Sequence, residues 1–153
     1  MTPIPLGPSA PGDQVTSIVL SIDSKWVDPL ASGRLLHLIR KRVPVLNPPR
    51  FVYLHAKSPV SAIVAKAELQ QVTKVPVSEA VKLSGELGIS ANAIEKYAGQ
   101  SSQIGLLVFK HVAPAHVPGR LATLREQLEY HPPQSFSFVS DEAAAVIDEI
   151  CGF

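Results

Sequence analysis

The sequence predicts an α+β domain, a small mixed or antiparallel β-barrel with peripheral helices. Apolar, β-branched runs recur along the chain but are separated by short, irregular helical segments, without the repeating strand–helix rhythm of a doubly wound sheet. Of the 153 residues, 46% are hydrophobic and 18% charged. That composition can bury a core and is far from that of a disordered chain. The length suits one domain.

Taken in order, residues 1–14 hold Pro3, Pro5, Pro8 and Pro11 with Gly7 and Gly12. This density predicts a disordered or extended tail ahead of a single domain over 15–153. Strands are expected over 15–22, 34–40, 52–56, 62–72 and 104–112, where β-branched and apolar residues dominate. Asp28 and Pro29 open a short helix that Gly33 stops. Val77, Ala80, Val81 and Leu87 stand at helical spacing before Gly88, and Ser90 caps a second helix with Ile94 and Tyr97 before Gly99. Together these form a helical insertion. Leu121, Leu124, Arg125 and Leu128 predict a short helix, which His131-Pro132-Pro133 breaks. Ser140-Asp141-Glu142 opens the last helix, with carboxylates at its positive end.

Several chemistries lack their residues. Cys151 is the only cysteine, so no intramolecular disulfide or cysteine-built metal cluster is available, which fits the reducing cytoplasm. Lying near the C-terminus with no identifiable base, it reads as a spectator in a frayed end. Residues 1–13 lack a signal-peptide pattern, and no apolar run nears the ~20 residues a bilayer requires. A cytoplasmic protein with no membrane partner is expected. Gly85 and Gly88 lack the third glycine and the lysine-hydroxyl pair of phosphate-binding loops. The five histidines, His37, His55, His111, His116 and His131, include no i, i+4 pair. Neither a metal nor a cofactor is expected. No G-x-S-x-G pentad supplies a serine nucleophile.

The formal net charge of +1 hides two unlike regions. Residues 24–66 carry eight bases (Lys25, Arg34, Arg40, Lys41, Arg42, Arg50, Lys57, Lys66) against Asp28 alone, a balance of +7, and the remainder carries −6. A basic stretch interleaved with apolar residues is the footprint of phosphate binding, or else a solvated face neutralised by acids that the fold brings near.

Three segments carry more than composition. Ser32-Gly33-Arg34 leads into His37-Leu38-Ile39-Arg40-Lys41-Arg42; Tyr53-Leu54-His55-Ala56-Lys57 ends in Ser58-Pro59; and Pro132-Pro133-Gln134-Ser135-Phe136 precedes the last helix. In this order they resemble the ASCH domain family, whose β-barrel is similar to the RNA-binding PUA domain. The resemblance covers about residues 17–139 and includes Ile89-Ser90 with Tyr97 and Gly99, which look like the family's insertion. It implies a PUA-like barrel that binds RNA or a nucleotide-like ligand in a cleft lined by a G-x-K-x-x-E-x-R type motif. Aligning Gly33 and Arg40 with that motif puts Leu35 where lysine is common and Leu38 where glutamate is frequent. In members that resemble N4-acetylcytidine amidohydrolases, Leu35 and Leu38 stand where the lysine and the threonine nucleophile fall, and Glu68 is a candidate for the glutamate. An aliphatic side chain can neither attack an amide nor move a proton.

The leading expectation is a non-catalytic, RNA- or nucleotide-binding module, regulatory or not, with a basic cleft of Arg34, Arg40, Lys41, Arg42 and Lys57, joined by Ser58 and Gln134. Two alternatives stay open: an enzyme acting on a modified nucleoside through His37, Ser58 and Glu68, and a protein-interaction module whose basic face meets an acidic partner. If 34–40 is one strand, Arg34, Leu36, Leu38 and Arg40 share a face. Leu36 and Leu38 are then either the floor of a groove or core residues beneath snorkelling arginines. Phe136 is expected to plug the barrel, and Trp26 and Tyr53 to be packing residues.

Overall fold

The computed structural model describes residues 2–8 and 16–153. Its elements are β1 (Ile4–Pro5), β2 (Ser17–Ile22), a 3-10 turn (Ser24–Trp26), α1 (Val27–Ala31), β3 (His37–Arg40), β4 (Phe51–Ala56), β5 (Ala62–Pro76), α2 (Val77–Lys82), α3 (Ser84–Leu87), α4 (Ala91–Ala98), β6 (Gln103–Arg120), α5 (Leu121–Gln127), β7 (Leu128–Glu129), β8 (Phe136–Val139) and α6 (Asp141–Cys151). Six strands form one mixed sheet in the order β3-β6-β5-β4-β2-β8, with β2 and β4 parallel and the other neighbours antiparallel. The expected tail contributes β1, which pairs in parallel with β7, and Leu6 beside it is buried. Residue 1 and residues 9–15 of that stretch, Val15 included, lie outside the described residues.

β5 runs on to Pro76, four residues past the expected end, and two further strand boundaries differ from the sequence reading for identifiable reasons. The strand expected over 34–40 begins only at His37, because residues 32–36 leave α1 through Gly33 at φ +77° and a bend that ends with Leu36 accepting from the Phe109 amide at 2.8 Å. β6 runs eight residues past the expected end at Val112, through Pro114 and Pro118. β3 pairs with β6 only as far as Val108, so beyond it one side of β6 is an open edge that tolerates a missing N–H, and Pro118 falls where the β5 register jumps from Pro114 to Gly119.

Side chains from β2, β3, β4, β5 and β6 meet in one core with Leu30, Leu35 and Val43, and Phe136 and Phe138 pack half-buried against it. The opposite face of β2 and β4 is covered by α5, α6 and β1 around Tyr53, Tyr130 and Ile147. A third cluster, built from Ile39, Ile94, Ile104 and Leu106, holds the insertion α2–α4 against β3 and β6. Cys151 is not at a frayed end. It is fully buried in α6, and burial pushes its thiol up to about 11.

Among the described residues β3 and β8 do not pair, so the expected barrel is not closed by backbone hydrogen bonds. The sheet is nevertheless curled. Arg40 on β3 donates to the Ser21 carbonyl on β2 at 2.9 Å, although β2 lies four strands away in the pairing order. In a flat sheet those strands would be ~19 Å apart, far beyond the reach of one arginine. The Arg40 side chain therefore bridges the open seam.

Candidate functional site

Where Arg40 spans the seam, the surface opens into a pocket of about 180 Å³. The end of β3 supplies Leu38 and Arg40, the turn after β2 supplies Asp23, Lys25 and Trp26, and the insertion supplies Ile89 and Tyr97. Each wall has a local cause. The extended Asp23 ends β2 and starts the 3-10 turn that carries Lys25 and Trp26. Gly88, at φ +69°, reverses the chain after α3 and lies so close that a Cβ there would stand 3.8 Å from the Trp26 ring. The Ser90 hydroxyl caps α4 by accepting from the Ala93 amide at 3.2 Å. With Ile94 and Ala98 buried, Tyr97 is left on the exposed flank of that helix.

The electrostatics are one-sided. Lys25 Nζ lies 5.3 Å from the Trp26 ring centre and Lys41 Nζ 5.4 Å from that of Tyr97, while the Tyr97 hydroxyl accepts from the Lys41 amide at 3.3 Å. Among the described residues no carboxylate is within ion-pair distance of Lys25, Arg40 or Lys41. The one acid at the pocket, Asp23, pairs with Lys57 at 3.7 Å. Arg40 also reaches its own strand's Ile39 carbonyl at 3.3 Å. Lys25 and Arg40 thus line an apolar floor with two aromatic rings at its rim, and Lys41 lies against one of those rings.

The structure sorts the sequence-derived candidates. Arg40 lines the pocket, Lys41 lies beside it against Tyr97, and Lys57 is paired with the pocket's Asp23. Arg34 is turned into the α1–β3 bend, where its Nε donates to the Ser32 hydroxyl at 3.0 Å, and Arg42 is exposed in the loop after β3. Ser58 lies in the β4–β5 turn. Gln134 is exposed in a segment held against Ser21: the Pro133 carbonyl accepts from the Ser21 hydroxyl and the Ser135 carbonyl from its amide. Leu38 lines the pocket, whereas Leu36 packs against the main core, so only half of the expected groove floor is present.

His37, Ser58 and Glu68 do not assemble. His37 lies opposite Val108, which faces Gln71; Glu68 is three residues further along β5, opposite His111 and paired with Lys110 at 3.6 Å. From Glu68 to the start of β5, beyond which Ser58 lies, is six residues, ~20 Å of extended strand. Leu35 and Leu38 are buried in the core. His55, a further titratable group near Ser21, is also buried; its Nδ1 is 2.7 Å from the Tyr130 hydroxyl, and desolvation holds its pKa below the usual value.

Sequence reasoning did not place Lys25, Trp26 or Tyr97 at the site. Trp26 read as a packing residue; it is half-buried, with one side against the core and the other on the pocket. The available signal was a lone tryptophan beside a lysine in a turn between two elements.

No protein-family model matches the chain, and no curated protein matches it. Solved structures do. ASCH from Zymomonas mobilis superposes with a TM-score of 0.79 at 20% identity over 88% of this chain and 94% of that one. A serine-to-alanine variant of the same protein gives 0.80 at 18%, over 90% and 98%. The fold is the ASCH fold. The N-terminal domain of Staphylothermus marinus McrB is a more distant likeness, with a TM-score of 0.62 at 13% identity over 97% of this chain and 98% of that domain. On this ASCH fold the pocket lies between β3 and the helical insertion that the sequence placed after residue 76.

Proposed function

We propose that the chain is an RNA-binding module whose pocket takes one unstacked base against Trp26 and Tyr97, while Lys25, Arg40 and Lys41 hold the adjoining phosphates. The observation that carries this reading is the pairing of three cations that have no carboxylate partner among the described residues with two aromatic rings at one small apolar hollow. Arginine supplies a planar fork suited to phosphate, and aromatic rings stack on any base. The volume sets the unit recognised. At about 180 Å³ the hollow is smaller than the ~300–1,000 Å³ of sites that enclose a whole ligand, so it suits a fragment of a longer chain. The resemblance to PUA-like domains supports the same reading. Binding is favoured over turnover because His37, Ser58 and Glu68 are dispersed and the family resemblance puts the aliphatic Leu35 and Leu38 at positions of the amidohydrolase-like set.

The test is fluorescence anisotropy of a labelled random-sequence RNA octamer across a salt series. Three neutralised phosphates give a slope of log affinity against log salt of about −2 or steeper. Arg40→Ala makes it shallower by ~0.7 and weakens binding by ~1–3 kcal/mol. Salt-independent affinity, or an Arg40→Ala chain that binds as well as the parent, would contradict the reading.

A further inference from the structure

The loop joining β3 to β4, residues 41–50, has a construction of which the pocket uses only Lys41. Its tip exposes Leu46 at 92% of its surface, with Val45 half-exposed beside it. A single exposed leucine requires no explanation. Three further features coincide at this one. First, the tip stands on fixed supports: Val43 is buried in the main core, Pro44 and Pro49 are buried, and the Lys41 amide is held by the Tyr97 hydroxyl at 3.3 Å. Second, the tip is stiffened by Pro44, Pro48 and Pro49 and by a tight turn in which the Val45 amide donates to the Val43 carbonyl at 3.0 Å. Presenting it to a partner therefore loses little conformational entropy. Third, Lys41 and Arg42 lead into the loop and Arg50 leaves it, with no acid in the ten residues and, among the described residues, no carboxylate within ion-pair distance of these three.

We infer that this loop is a second RNA contact, in which Leu46 supplies an apolar face for a base outside the pocket while Arg42 and Arg50 hold the phosphates on either side. The inference rests on the proposed function, because continuity with the pocket is what selects RNA: Lys41 belongs to both, through its contact with Tyr97. Apolar side chains that enter a base stack are an established device of nucleic-acid binding. A bilayer fits less well, since one leucine and part of a valine bury too little apolar surface for stable anchoring. Leu46 is five residues on from Lys41, at most ~18 Å of chain. Stacked nucleotides advance ~3.4 Å each, so five or fewer reach from Lys41 to the tip.

The experiment compares Leu46→Asp with the parent chain in binding a random-sequence RNA octamer, an equimolar mixture of the four nucleoside 5′-monophosphates, and anionic phosphatidylserine vesicles. Because Leu46 is solvated, the variant should melt with the parent chain. The expected result is octamer binding weakened by about tenfold, mononucleotide binding within about twofold of the parent, and no vesicle association. An octamer affinity unchanged by Leu46→Asp overturns the inference and leaves the pocket reading standing. Equal losses for octamer and mononucleotide overturn it too, because Leu46 would then act on the pocket itself. Failure of the parent chain to bind either RNA ligand removes the proposed function and this inference together, and vesicle binding lost in Leu46→Asp without octamer binding assigns the loop to a membrane instead.

Discussion

Arg40 has two tasks that a lysine could not share as well: its fork donates to the Ser21 carbonyl across the seam and to the Ile39 carbonyl of its own strand, and the same side chain lines the pocket. Its backbone position depends on Gly105, directly opposite on β6. A Cβ at Gly105 would lie 2.5 and 2.6 Å from the two Val43 methyl carbons and 2.7 Å from the Arg40 carbonyl oxygen. In an open site, glycine to alanine stabilises by ~0.4–1 kcal/mol through the unfolded chain; here the overlap costs ~1–3 kcal/mol. Gly105→Ala is therefore expected to lower the urea midpoint, and a raised midpoint would mean that the approach of Val43 and Arg40 is looser than described. The sign of the change, more than its size, decides the point.

Among the elements, α6 depends most on a polar tether. Asp148 accepts from Lys66 Nζ at 3.0 and 3.1 Å and from the Tyr53 hydroxyl at 2.7 Å, tying the helix to β5 and β4. Burial first, and the Asp148 carboxylate second, raise the Tyr53 hydroxyl pKa, so the phenol remains a donor. Asp148→Ala removes the half-buried carboxylate that Lys66 and Tyr53 share and should destabilise the chain by ~1–3 kcal/mol in urea unfolding. Unchanged stability would show that apolar packing alone seats the helix. The helices were the legible part of the sequence, because their ends are set locally: Ser90 and Ser140 cap α4 and α6, and Gly88 and Gly152 reverse the chain at φ +69° and +75°. Strand limits were less legible. Whether Pro114 ends a strand depends on whether a neighbour needs its N–H, and that follows from where β3 stops, not from residues near Pro114.

For the molecule as a whole, folding divides the basic stretch that composition revealed. Lys66 is taken by Asp148 and Lys57 by Asp23, while Lys25, Arg40 and Lys41 gather at one hollow. Sequence could give Arg40 because the family resemblance puts it at the motif's arginine position, seven residues after Gly33, and Lys41 because it follows Arg40. It could not give Tyr97, which reaches the site only when the insertion docks on β3 through Ile39, Ile94 and Ile104. Nor could it show the curled, unclosed sheet, since the seam is bridged by one side chain and not by a ladder. No helix among the described residues is long and apolar enough to cross a membrane. Trp26 is the only tryptophan, so its indole N–H gives a single resonance at the pocket wall. Titrating the random-sequence RNA octamer while following that resonance by NMR is the most direct test. Stacking of a base predicts a saturable upfield shift that tracks the anisotropy signal and is lost in Arg40→Ala; an indole signal that stays still while the RNA saturates the protein would place the bound base elsewhere.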